Sequence, residues 1–142
     1  MNEVLKAMEE RRSVRKYKTD MVPKDIIEQI IDAGLYAANG MGQKPIIVAV
    51  TNKELRDKLS KMNAAVEGWN VDLFYGASVV LIVLASKDWI NCVYDGSLVL
   101  GNLMLVAHCL GTGSCWIHRA KQEFDSHEGE GNSKRTWRHG RI

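Results

Sequence analysis

Residues 96–118 read GSLVLGNLMLVAHCLGTGSCWIH. Between Leu98 and Val106 the large side chains are Leu98, Val99, Leu100, Leu103, Met104, Leu105 and Val106, so a helix here is apolar on nearly every side. Such a helix has to be covered on every side. A domain of 142 residues has difficulty enclosing one alone. Two arrangements stand open: a second subunit that covers the helix in an obligate dimer, and a central helix buried within one chain. Asp95 stands just ahead of the stretch and is expected to cap it. The glycines at 111 and 113 then end the helix, and GTGSCWIH reads as a turn and a short strand.

Upstream, ASVVLIVLA (77–85) and IIVAVT (46–51) are β-branched, continuously apolar runs that read as buried strands. Between them lies KELRDKLSKMNAAVE, with Thr51 and Glu54 spaced as a capping box for its helix. Pro23 opens another helix at about Lys24, with Ile26, Ile27, Ile30, Ile31 and Leu35 on one stripe. AANGMGQKP (37–45) is a glycine-punctuated loop, and residues 2–12 have helical spacing in Val4, Leu5 and Met8.

The composition, 46% hydrophobic and 25% charged, is that of one ordinary globular domain. A net charge of +2 is too small to argue for a nucleic-acid partner. No secretory leader is visible in the charged first helix, and the most apolar strand is too short to span a bilayer. Cys92, Cys109 and Cys115 match no metal-ligand spacing and are odd in number, so no metal is expected and a reduced cytoplasmic setting is the simplest reading.

The basic residues matter locally. Arg11, Arg12, Ser13 and Arg15 crowd into RRSVR. Arginine pairs bidentately with phosphate, and a serine hydroxyl adds a directed bond. On an extended segment Arg11, Ser13 and Arg15 share a side and can converge on one anion, with Arg12 facing elsewhere. The same residues also suit a solvated basic patch at a helix C-terminus, and spacing alone leaves both readings open.

RRSVR, then the helix leading to AANGMGQKP, then YGASVVLIVLA, then YDGSLVLGNLMLVAHCLGTGSCWIHRA, in that order, resembles the FMN-dependent nitroreductase family over roughly residues 1–125. The resemblance implies an α+β fold, with a central, mainly antiparallel sheet flanked by helices. It also implies an intertwined homodimer with FMN at the subunit interface. It casts Arg11, Arg12, Ser13 and Arg15 as the grip on the FMN phosphate and ribityl chain. It brings the loop Asn39, Gly40, Met41, Gly42 and Gln43 to the cofactor, with Gly42 standing where the family often has asparagine. Asn70 matches a flavin-contacting position of some members, and Trp116, Ile117 and His118 fall in the strand that approaches the flavin ring.

The implied activity is electron transfer from NADH or NADPH, through FMN, to a small acceptor such as a nitroaromatic or quinone by ping-pong exchange. The alternative from another class is a flavin-binding protein without turnover. Flavin supplies the redox chemistry, so no acid–base dyad is required and none is visible. GTGS lacks the lysine of a phosphate-binding P-loop, and His108 and Cys109, adjacent on a helix, face different ways.

Residues 126–142 differ in composition, with Trp137 and Ile142 as their large apolar residues. A one-base shift allows Gly131–Arg141 to be read as AILKEHGDMEE, an amphipathic pattern. A divergent natural tail and a shifted reading frame therefore both stand as expectations for this stretch.

Overall fold

The protein was studied as a computed structural model, which describes residues 2–125. The expected divergent tail, residues 126–142, lies outside the described residues. The elements are α1 (Glu3–Glu10), α2 (Lys24–Leu35), β1 (Ile46–Val50), α3 (Lys53–Ala65), β2 (Val80–Leu84), α4 (Cys92–Cys109) and α5 (Ala120–Asp125).

Local chemistry sets most of the boundaries. Asn2 caps α1, its side chain accepting from the Val4 N–H at 2.8 Å. Pro23 stands at the N-cap of α2, where its missing N–H costs nothing. The cap of α3 is Asn52, whose side-chain oxygen accepts from the Leu55 N–H at 2.9 Å, so Thr51 and Glu54 do not form the expected capping box. The helix begins one residue later than that box requires, at Lys53, so Asn52 takes the N-cap position. Asp95 does not cap α4 either. The helix starts three residues earlier, at Cys92, and Asp95 lies within its first turn.

β1 and β2 pair antiparallel, Ile46 opposite Leu84 and Val50 opposite Val80. They form a two-stranded sheet among the described residues, smaller than the central sheet that the sequence leads one to expect. Alternation along the strands feeds two cores. Ile47, Leu81 and Val83 pack with Ile30, Val99, Leu103 and Ala107 of α2 and α4. Val48, Val50, Val80, Ile82 and Leu84 pack with Leu59 of α3 and with Phe74. Each such large apolar side chain contributes about 1.5–3 kcal/mol when fully buried.

α4 is buried along a single stripe, Asp95, Val99, Leu103 and Ala107, against α2 and the sheet. Val93, Tyr94 and Leu98 remain exposed, so the described residues do not enclose this helix. By length and composition α4 is also the one described helix apolar enough to cross a membrane. Its buried stripe includes Asp95, and Asn102 donates to the Ala33 carbonyl at 3.0 Å, both ties to the rest of this domain.

Candidate functional site

The segment RRSVR leaves α1 in extended geometry. Arg11 has φ −56° and ψ 134°, which stops the helix, while its N–H still bonds to the Ala7 carbonyl. The chain then runs beside residues 113–115. Ser13 and Ser114 form a parallel bridge, and the Val14 N–H donates to the Ser114 carbonyl at 2.9 Å. Gly113 permits this approach, because a Cβ there would lie 2.9 Å from the Val14 side chain. Two stretches a hundred residues apart, the arginine cluster and the start of SCWIH, are thereby joined.

The three arginines are not equivalent. Arg12 turns back and donates through Nη1 to the carbonyls of Arg11 and Glu9, capping the end of α1. Arg15 is exposed and has no hydrogen bond or ion pair among the described residues. Arg11 is half-buried, and its Nη1 is buried with no acceptor among the described residues. A buried cationic donor without a partner is costly, and an anionic acceptor is the chemistry that would relieve it.

Beyond Ser114 the chain passes Trp116 and His118, whose rings lie 6.4 Å apart and tilted by 50°. Asn63 of α3 fixes this stretch, donating to the His118 carbonyl at 3.1 Å and to Glu123 Oε2 at 2.9 Å. Arg119, in left-handed geometry at φ 74°, donates in turn to Asn63 Oδ1 at 3.4 Å. Burial pushes the Glu123 carboxyl up to about 7, against the opposing effect of the Asn63 bond.

The loop Asn39–Gln43 is a second group. Gly40–Gly42 form a 3-10 turn, with Met41 in the left-handed region at φ 50° and 88% exposed. A non-glycine residue there stores local strain of about 1–2 kcal/mol, the kind of feature found at ligand-facing loops. The Gly40 N–H donates to Asp95 Oδ1 at 3.1 Å, while Asn39 makes only a local bond to the Ala37 carbonyl. Among the described residues no hydrogen bond or ion pair joins this loop to Arg11–Arg15. Asn70 belongs to neither group. It is exposed in the turn after α3, next to Trp69, over whose ring the Arg119 guanidinium lies at 5.7 Å.

A cavity of about 540 Å³ lies alongside β2. Apolar side chains such as Ile27, Phe74, Ile82, Leu103 and Met104 dominate it, and Trp116 and Ile117 share in its lining. Arg11, Ser13 and Arg15 do not line it. This cavity and the arginine cluster are therefore separate places meeting at residues 114–117. Tyr17 lines the cavity, and its hydroxyl donates to the Val14 carbonyl at 2.7 Å. Burial first, then the Cys115 thiol beside it, push this phenol up to about 12.

Sequence reasoning missed Trp89, whose indole Nε1–H donates to Asp95 Oδ2 at 2.8 Å, and placed Asp95 ahead of α4 rather than inside it. The available signal was a lone acidic residue at the head of an otherwise apolar helix. Among the described residues, no three His, Cys, Asp or Glu side chains gather as a metal site.

The geometry has counterparts. The description of the nitroreductase family matches residues 8–67, which include RRSVR, the 39–43 loop and the first strand. A Methanothermobacter thermautotrophicus protein, provisionally named NADH dehydrogenase/NAD(P)H nitroreductase, is 30% identical over 124 residues, 80% of this chain and 60% of its own length. A protein of the same name from Archaeoglobus fulgidus is 30% identical over 123 residues, 82% of this chain and 68% of its own. The crystal structure of a Bacteroides fragilis nitroreductase with bound FMN superposes with a TM-score of 0.88 at 27% identity, covering 95% of this chain and 80% of that one. The chain thus spans about three fifths of the Methanothermobacter relative. Its ordered elements, its extended RRSVR segment and these likenesses together make it a member of the nitroreductase family.

Proposed function

We propose that the chain is an FMN-dependent oxidoreductase that takes electrons from NADH or NADPH and passes them to a small acceptor, a nitroaromatic or a quinone, by ping-pong exchange in one pocket. The observation that carries this reading is the buried Arg11 Nη1, a cationic donor with no acceptor among the described residues. A phosphate suits it, because guanidinium and phosphate match as charge-assisted, forked hydrogen-bonding partners. Arg11 and Arg15 hold that phosphate, and Ser13 bonds the adjoining chain. Arg12 acts one step back, by fixing the end of α1 from which Arg11 emerges.

FMN, when bound, supplies hydride acceptance and onward electron delivery. The protein supplies orientation and shelter. The strained Asn39–Gln43 loop offers backbone groups around Gly42, where the missing side chain leaves open space for close approach. Trp116, Ile117 and His118 provide a wall, held through the Asn63 bond to the His118 carbonyl. Asn70 is a further contact, reached from the exposed turn after α3. The bound FMN of the Bacteroides fragilis structure supports this reading of the cofactor.

The working unit in this proposal is a homodimer. α1 and α4 pack together, and both leave apolar side chains uncovered: Val4, Leu5 and Met8 on the first, Val93, Tyr94 and Leu98 on the second. A second copy laid over them satisfies the requirement that an apolar helix be covered. Light scattering at micromolar concentration is expected to give a dimer, and a stable monomer overturns this part.

Purified protein titrated with FMN, then assayed for NADH and NADPH oxidation with a nitroaromatic or quinone, tests the whole. Saturable FMN uptake with acceptor-dependent turnover is the expected result. Uptake without turnover returns the binding-protein alternative. No uptake overturns the proposal.

A further inference from the structure

Asp95 sits 4% exposed in the first turn of an apolar helix, a costly place for a carboxyl group without partners. It has two. One oxygen accepts from the backbone N–H of Gly40 at 3.1 Å, and the other accepts from the indole Nε1–H of Trp89 at 2.8 Å. The same indole packs on the glycine. A Cβ at Gly40 would lie 2.8 Å from Trp89 Cζ2 and 3.0 Å from Asn91 Nδ2. Trp89, Gly40 and Asp95 therefore close a three-way contact between the 39–43 loop and the start of α4. The loop's other hydrogen bonds are local: Gln43 N–H to the Gly40 carbonyl, Lys44 N–H to the Gly42 carbonyl, and Asn39 to the Ala37 carbonyl. The bond to Asp95 is its tie to a distant part of the chain.

We propose that Asp95 and Trp89 are positioning residues, a latch that holds the Asn39–Gln43 loop in the geometry that receives the flavin. The role in flavin binding rests on the function proposed above; the holding of the loop does not. The chemistry needs an acceptor with two free oxygens. An asparagine at 95 accepts one N–H and turns its own NH₂ toward the other donor. Phenylalanine at 89 keeps an aromatic ring beside Gly40 and removes the indole N–H together with part of the ring's contact area. The left-handed Met41 immediately follows the latched residue, so release at Gly40 lets the strained turn relax. The latch also anchors the loop to the helix whose uncovered face is assigned above to the second subunit. Cofactor loop and interface helix are thereby set by one carboxyl group.

Two measurements on the full chain test this. Without flavin, hydrogen exchange across residues 37–46 is expected to speed up about tenfold at Gly40 in Trp89→Phe, which loses the indole bond, and more in Asp95→Asn, where one donor faces the amide NH₂. With FMN, the same variants are expected to bind about three- to tenfold more weakly and to change the visible circular dichroism of bound flavin. The double variant should add little to Asp95→Asn alone. Trp89→Phe is the milder change and keeps the test informative if Asp95→Asn fails to fold. Unchanged exchange at Gly40 overturns the latch. Faster exchange with unaltered FMN affinity and flavin dichroism overturns the positioning role. If the unaltered protein takes up no FMN, the proposed function falls, and exchange alone decides whether the loop is held.

Discussion

Arg56 on α3 and Arg11 at the end of α1 carry the same guanidinium into opposite surroundings. Arg56 is 7% exposed and fully engaged. Its Nε donates to the Ala77 carbonyl at 2.9 Å, Nη1 to Asp57 at 3.0 Å and Nη2 to Asp72 at 2.6 Å, and its plane lies over the Phe74 ring at 5.4 Å. Among the described residues Arg11 buries Nη1 against no acceptor, and Arg15 is exposed and unpaired. A chain that folds for stability alone surrounds a buried cation with acceptors, as it does at Arg56. Leaving one incomplete makes sense when the missing acceptor arrives with a ligand. The comparison separates an arginine that holds the fold from the arginines proposed above to hold a phosphate.

The largest expected effect belongs to the satisfied member. Arg56→Met should cost about 1.5–3 kcal/mol of unfolding free energy, the range for hydrogen bonds to charged groups. Partial exposure of Asp57 and Asp72 keeps the loss below that of a fully buried pair. Urea denaturation measures it. A midpoint equal to that of the unaltered protein would remove Arg56 from the scaffold and blur the comparison.

Next come the unsatisfied members. Arg11→Ala and Arg15→Ala should each weaken FMN binding by about tenfold or more, since a charge-assisted contact contributes about 1.5–3 kcal/mol. Neither should lower the melting temperature by more than about 2 °C, because neither guanidinium holds another part of the described fold. Flavin titration beside thermal unfolding separates the two quantities. A large drop in stability with intact flavin affinity would turn Arg11 into a second Arg56.

Acid sharpens the contrast from the other side. Burial opposes ionisation of Asp72, but bonds from Arg56, Ser60 and the backbone N–H groups of Gly76 and Phe74 prevail and hold the group near 2, below its ordinary 3.8. A depressed carboxylate stabilises the fold at pH above its unfolded value and loses that contribution as pH falls through the folded one. Stability should therefore fall between about pH 4 and pH 2, and Arg56→Met should flatten that part of the profile. Urea midpoints across this range in both proteins decide it. Equal slopes would mean that Arg56 is not what keeps Asp72 ionised.

How much of this was legible in the sequence depends on the distance over which each cause acts. Pro23, the two apolar strands and the glycine-rich loop announce themselves locally, and the helices and strands fall close to where their spacing puts them. Caps are decided by one residue, so Thr51 yielded to Asn52, and Asp95 was misjudged because α4 begins at Cys92. The stretch GTGSCWIH contains a single bridge, Ser13 to Ser114, rather than a continuous strand, because strand pairing needs a neighbour that local sequence does not specify. RRSVR was recognisable as an anion grip or a basic patch. Alternation set Arg12 apart from Arg11 and Arg15; what the linear order could not reveal is what Arg12 meets, which depends on where a helix ends and which carbonyls its last turn leaves open.

That division gives the smallest expected effect. Arg12 bonds to the carbonyls of Arg11 and Glu9, so it serves the end of α1. Cations at a helix C-terminus contribute about 0.3–1 kcal/mol at exposed positions. Arg12→Ala should therefore lower stability by about 0.5 kcal/mol, and Arg12→Lys should restore most of it, because a lysine can still meet the open carbonyls. FMN affinity should change by less than about threefold in either variant, since the guanidinium is engaged by the carbonyls of Arg11 and Glu9. The informative ratio is the flavin effect of Arg12→Ala against that of Arg15→Ala in the same titration. Comparable losses would mean that the whole cluster, rather than two of its three arginines, meets the anion, and that the carbonyl bonds of Arg12 give way when the ligand arrives.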